Sequence, residues 1–394
     1  MTETRVIKSA PASRDRVGEW DGVRALLIGL VGWFHIWQQS WLTPVAVIGG
    51  RIWSLDFLLR SGYIWVDGMI LLSGFLLYLP YAEDGERRMD LKRFYLRRFA
   101  RIWPSYALNV IVFFVMSLDA YARTSDAVWD LVSHLTFLHP LTFATYYGSP
   151  INGALWTVGV EVHFYLIFPL VLRVFRRRPY LTAAVMCAAA WGFRLYASGL
   201  RDCAMFFNQL PAFLDVYAVG MLGAMGYAAL KKRIREDKSS AFVFTLAALV
   251  SVLYLIGVAQ NQAVRNGVEG IRIGQMENRL PIALALTVLI VSLPFTFRGV
   301  RKVFSNRVTF FLAAVSYQFY MLHQKLAVLI REWRWIPSEY DLPNQAGDFS
   351  WQLPYTLTCF LFALMLSAAL TFLFERPLSR RILASGNKHG PVDQ

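Results

Sequence analysis

Residues 21–37 read DGVRALLIGLVGWFHIW, an apolar run that carries an arginine at its start, Arg24, and a histidine within it, His35. As one helix the run would hold these side chains about 16 Å apart along its axis, at ~1.5 Å per residue. If that helix crosses a bilayer, Arg24 lies at a water interface and His35 lies in hydrocarbon. An ionisable group at that depth is costly and marks a functional site by default. The plainer alternative is a histidine that only hydrogen-bonds a neighbouring helix.

The rest of the chain has the same character. Of 394 residues 56% are hydrophobic, gathered in long runs rather than periodic stripes. Runs of about 20 residues read as membrane-spanning helices. They predict an all-α, polytopic bundle of about ten spans, near 22–41, 61–80, 104–119, 154–173, 180–198, 209–230, 241–260, 280–297, 309–330 and 354–374. Pro104 suits the first turn of the third span, and Ile48–Leu59 is apolar enough to dip into the interface. In a soluble protein a net charge of +14 would suggest nucleic acid. Here the basic residues cluster in the tail and in the loops after even-numbered spans, which argues against a nucleic-acid partner and places both termini in the cytoplasm. Residues 1–18 are expected to be a disordered cytoplasmic tail, 19–380 a transmembrane domain and 381–394 a second cytoplasmic tail, with no cleavable leader. Cys187, Cys203 and Cys359 form neither a metal-ligand spacing nor a paired framework, so no disulfide scaffold and no metal is expected.

Depth along the spans sorts the polar groups. With alternating direction, His35 falls in the outer half, Asp67 and Glu161 lie about 9 Å below the outer ends of their spans, and His323 lies about 20 Å up its own. Four titratable groups from four spans would share one layer around a polar cavity. A histidine with a carboxylate to fix its tautomer can act as a general base, so Asp67 or Glu161 is expected to orient His35. His163, two residues from Glu161, points to nearly the opposite helix face. At the inner face Arg24, Arg97, Arg98 and Arg101 offer guanidiniums suited to phosphate oxygens; the alternative is a set of anchors to anionic lipid. Ser73 and Gly74 fit back-bonding and close helix packing. A transporter or flippase for a polar lipid or glycan would show the same spans and the same polar layer.

Five ordered motifs resemble the integral-membrane acyltransferase family 3: Arg24-x10-His35; WVDGMILLSGF with Asp67, Ser73 and Gly74; Arg97-Arg98-x-x-Arg101-Ile102-x-Pro104-x-Tyr106; LWTVGVEVHFYLIFP with Trp156, Glu161, Tyr165 and Pro169; and SYQFYMLH with Tyr317, Tyr320 and His323. FERP near the end resembles the family's closing E-x-P. The resemblance implies a bacterial cytoplasmic-membrane O-acyltransferase that holds no permanent cofactor. It would use acyl-CoA, acetyl by family default, as co-substrate and would act on a glycan or lipid-linked sugar, with a small-molecule hydroxyl or amine as the alternative acceptor. Arg24, Arg97, Arg98, Arg101, Ser73 and Gly74 would serve the donor, His35 would be the base, and His323 a second base or oxyanion donor. Trp156, Tyr165 and Tyr320 would face substrate. The chain departs from the family at Val162 and His163, where an acidic residue and a glutamine are usual. Some members of the family carry a hydrolase-like domain after the last span; none is expected here, which would mean delivery by the chain alone or hand-over to a separate extracytoplasmic transferase.

Overall fold

The computed structural model describes residues 17–200, 204–235, 237–265 and 267–387, and these are almost entirely helical. Ten helices among them have 19 or more residues: α1 Gly18–Ser40, α2 Trp65–Glu83, α3 Leu91–Val115, α4 Trp156–Arg177, α5 Pro179–Ser198, α6 Leu214–Arg233, α7 Lys238–Ala263, α8 Gly267–Ser292, α9 Arg307–Glu332 and α10 Phe349–Ala369. Among the described residues six stretches, covering all or most of α2, α4, α6, α7, α8 and α10, are long and apolar enough to cross a membrane. The segment after α1 is a hairpin, Val45–Ile48 paired with Arg51–Ser54, followed by a short helix, Asp56–Arg60. Residues 1–16, most of the expected first tail, lie outside the described residues, as does Cys203.

Three elements differ from the sequence expectation. The third helix opens at Leu91, where Asp90 accepts the Arg93 backbone N–H at 2.9 Å. Pro104 therefore sits inside α3 and cannot donate to the carbonyl of Ala100. The Ser379 hydroxyl donates to that carbonyl at 2.6 Å, so the orphan is satisfied from another element. The eighth helix likewise begins at Gly267, which makes helix of residues expected to be loop, Arg279 included. Beyond α10 a π-helical segment, Leu370–Glu375, continues into a helix over Arg376–Asn387, so the start of the expected second tail, 381–387, is helical, and 388–394 lie outside the described residues.

Close backbone approaches set the arrangement. Gly220 of α6 lies against α2 so tightly that a Cβ there would sit 2.5 Å from the Leu71 carbonyl oxygen, and Gly74 of α2 faces Tyr217 of α6. Gly32 of α1 does the same for α9, since its Cβ would meet the Phe319 ring at 2.5 Å. These contacts bring α1, α2, α6 and α9 around one core that includes Leu27, Val31, Phe75, Tyr217 and Met321.

Two outcomes follow for stability. Ser379→Ala would strand a buried carbonyl and cost about 1–3 kcal/mol, read as a lowered thermal midpoint in detergent. In the α3–α4 connection, buried His139 stacks on His134 at 4.1 Å, and burial followed by the His134 charge pushes its pKa well below the usual 6.5. A histidine depressed in the folded state stabilises nothing extra above pH 6.5 and takes stability away as pH falls below it, because the unfolded chain then binds the proton first. Unfolding followed between pH 7 and 5 should show that loss, and His139→Phe should flatten it.

Candidate active site

Gly32 lets α1 and α9 close, and one turn further along α1 the two buried-layer histidines meet. His35 Nδ1 and His323 Nε2 are 2.8 Å apart, and His323 Nδ1 is 2.9 Å from the Phe319 carbonyl oxygen. A carbonyl only accepts, so His323 Nδ1 carries a hydrogen. In the neutral ring His323 Nε2 is then a lone-pair acceptor, and His35 Nδ1 must donate to it. That leaves His35 Nε2 unprotonated, with its lone pair available as a base. His323 is fully buried and His35 half-buried.

The carboxylates are elsewhere, which corrects the expectation that one of them orients His35. Asp67 pairs with Arg279 at 3.2 Å, and both side chains are buried. Arg279 also donates to the carbonyls of Phe207 and Ala212, and stacks on Phe213 at 3.9 Å. Beside it Arg194 makes a two-pronged pair with Asp215, at 3.0 and 2.6 Å, and donates to the same Ala212 carbonyl. The network is electrically balanced, with two cations and two anions. Neither Arg194 nor Arg279 is among the sequence-expected site residues; Arg279 lies in a stretch that composition marks as loop, and Arg194 lies inside the expected fifth span. Glu161 accepts the Tyr165 hydroxyl at 2.9 Å, Tyr165 lies 3.3 Å from Ser73 Oγ, and Arg98 sits over the Tyr165 ring at 4.8 Å.

These groups line one cavity of about 180 Å³, walled by Arg24, Ser73, Arg98, Arg101, Glu161, Tyr165 and Tyr320. The inner arginines and Glu161, expected at opposite faces, thus share a space. Tyr320 hydrogen-bonds Thr157 at 2.7 Å, and its ring is 5.6 Å from His323. The histidines therefore lie just past the cavity wall rather than on it. Arg101 and Leu76 are shared with the linings of two neighbouring basic pockets, termed its mouths. One holds Arg87, Arg88, Arg93 and Arg97; the other joins Arg24 to Arg376 and Arg380. Arg97 belongs to a mouth, not to the cavity. Gly74 packs on Tyr217 and Trp156 stacks on Phe213 at 5.8 Å, so neither faces the cavity. Glu375, from the π-helical segment, accepts from Gln318 at 2.9 Å and lines the second mouth.

A family model for an acyltransferase domain matches residues 17–376. The chain belongs to acyltransferase family 3. Among relatives of the family, ORF330 of Acidianus two-tailed virus is 23% identical over 306 residues, 76% of this chain and 80% of that protein. Peptidoglycan O-acetyltransferase OatA of Listeria monocytogenes serovar 1/2a is 24% identical over 342 residues, 80% of this chain and 50% of OatA. Nodulation protein 10 of Rhizobium leguminosarum bv. viciae is 28% identical over 176 residues, 40% of this chain and 45% of that protein. The chain thus spans about half the length of the latter two. No solved structure matches it. Membership in an acyltransferase family leaves the transporter alternative without support.

Arg279→Leu would strand the Asp67 charge in a buried site and cost about 3–5 kcal/mol. The double change Asp67→Leu with Arg279→Leu removes both charges and should recover most of that loss. Thermal unfolding of the three variants measures the difference.

Proposed function

We propose that the chain is a multi-pass membrane O-acyltransferase, which moves an acyl group, acetyl by first expectation, from cytoplasmic acyl-CoA to a hydroxyl of a glycan or lipid-linked sugar at the outer face. One observation carries this reading: a cavity walled by guanidiniums ends at Tyr320, one helical turn from an imidazole pair whose outer partner keeps a free lone pair. All ten long helices are read as spans. An even number of spans puts both termini on the side of the basic clusters, the cytoplasm of a bacterial cell. The name of OatA favours a glycan over a small-molecule acceptor.

On this reading Arg24, Arg98 and Arg101 hold the donor's phosphates, with Arg97 at the mouth. The pantetheine arm follows α1 for the ~16 Å from Arg24 to His35. His35 Nε2 takes the proton of the acceptor hydroxyl as its oxygen attacks the thioester carbonyl. The C–S bond then breaks, and the imidazolium returns the proton to the departing thiolate. His323 holds His35 in the tautomer that this step requires, which differs from a second base or an oxyanion donor. Glu161 offsets the guanidinium charge in the cavity rather than orienting the base. Asp67 supports α2 through Arg279.

Purified protein in detergent tests the scheme with acetyl-CoA alone, through binding and slow hydrolysis. His35→Ala should bind normally and lose about 10²–10⁴-fold in turnover. Arg101→Ala should weaken binding. His323→Gln keeps an acceptor oxygen for His35 Nδ1 and should retain far more turnover than His323→Leu. The ¹⁵N shifts of labelled histidine should show the His35 tautomer kept in the glutamine variant and lost in the leucine one. Absence of any CoA-ester binding would refute the donor assignment.

A further inference from the structure

A further groove lies on the flank of the bundle, between the α4 end and the segment leading into α3, and shares Arg88 with the mouth that holds Asp90. It is lined by Arg88, Arg173, Arg176 and Arg177 over Met89, Leu91, Pro169, Leu170 and Leu172, and encloses about 680 Å³. Its walls are fixed. Arg176 donates to the backbone carbonyls of Arg87, at 2.9 Å, and Gly85, and Tyr95 of α3 donates to the Leu166 carbonyl of α4 at 3.0 Å. Arg176 is therefore a strut, while Arg88, Arg173 and Arg177 have no carboxylate partner among the described residues. The two donor-side mouths each contain a carboxylate, Asp90 in one and Asp21 with Glu375 in the other; this groove's lining contains none. Its lower edge is apolar and outward-facing, with Leu91 52% and Leu170 65% exposed.

We propose that this groove binds an anionic glycerophospholipid of the inner leaflet. Three uncompensated guanidiniums beside exposed leucines match a molecule that joins a phosphate to acyl chains. A soluble phosphate would leave the apolar edge unused, and a zwitterionic lipid would leave the cationic charge unbalanced. The phosphate sits on Arg88, Arg173 and Arg177, and the chains lie along Leu91 and Leu170. Basic pockets between helices at the cytoplasmic side hold lipid headgroups in this manner. The bound lipid would brace α3, the helix that carries Arg98 and Arg101, against α4, which carries Glu161. The inference rests on the membrane orientation proposed above, but not on the chemistry.

Native mass spectrometry of the full chain tests it, with phosphatidylglycerol and phosphatidylcholine added in equal amounts. Wild type should retain phosphatidylglycerol at least about fivefold over phosphatidylcholine. The double variant Arg173→Gln with Arg177→Gln should lose that preference, and Arg173→Lys with Arg177→Lys should keep most of it, which separates charge from misfolding. Equal retention of the two lipids by wild type, or an unchanged preference in the glutamine variant, overturns the proposal. So does displacement of the bound lipid by adenosine 3′,5′-bisphosphate, which would assign the groove to a soluble phosphate. Because the readout needs no turnover, a chain that binds lipid as described and ignores acetyl-CoA would refute the proposed function alone.

Discussion

A charge in a low-dielectric interior must meet its opposite, and that requirement organises the middle of this bundle. Asp67, Arg279, Asp215 and Arg194 come from four helices, α2, α8, α6 and α5, and each guanidinium has a carboxylate and a share of one backbone carbonyl, that of Ala212. Taking two such pairs out of water is unfavourable unless the remaining donors are also satisfied. The aromatic floor under Arg279 and the shared backbone acceptors supply most of that satisfaction, while Arg194 Nε is left without a partner. Asp67 is committed to Arg279 rather than to a histidine, and the two histidines pair with each other.

Sequence resolves depth along a helix well and azimuth around it poorly. His35 and His323 were placed in one layer by counting residues, and they touch. Asp67 and Glu161 came out of the same count, yet the neighbours that claim them, Arg279 and Tyr165, depend on which helices lie side by side. Counting cannot supply that. Single glycines on three helices, Gly32, Gly74 and Gly220, were a usable clue to adjacency, because each marks a point where another helix packs closely. Helix starts failed where polarity was mistaken for loop. The turns before Pro104 and Pro281 are helical although charged, since their charges serve a cavity and a buried network rather than water. The cap at Asp90 was legible in principle, as an aspartate three residues ahead of a backbone N–H. The hydroxyl that rescues the Ala100 carbonyl, some 280 residues downstream, was not.

The closing segment has more influence on the inner half than its position suggests. Glu375 reaches Gln318 of α9, Gln318 reaches Asn109 of α3, and Ser379 caps the proline-broken turn of α3. The π-helical turn of Leu370–Glu375 is the local cost of aiming that carboxylate inward. It ties α3, with its arginines, to α9, with Tyr320 and His323, through side-chain hydrogen bonds.

The wall at Tyr320 also has an electrical meaning. A protein with polar space on both sides of a bilayer is close to being a proton channel. Here the guanidinium-lined cavity and the imidazole pair are separated by the hydrogen-bonded ring and hydroxyl of Tyr320 and Thr157. Each elementary charge crossing such a partition would dissipate about 2.3 kcal/mol per 100 mV of membrane potential. Under the proposed mechanism Tyr320 is also the partition that the pantetheine arm must pass, and while it is closed it would insulate the imidazole pair from the cavity.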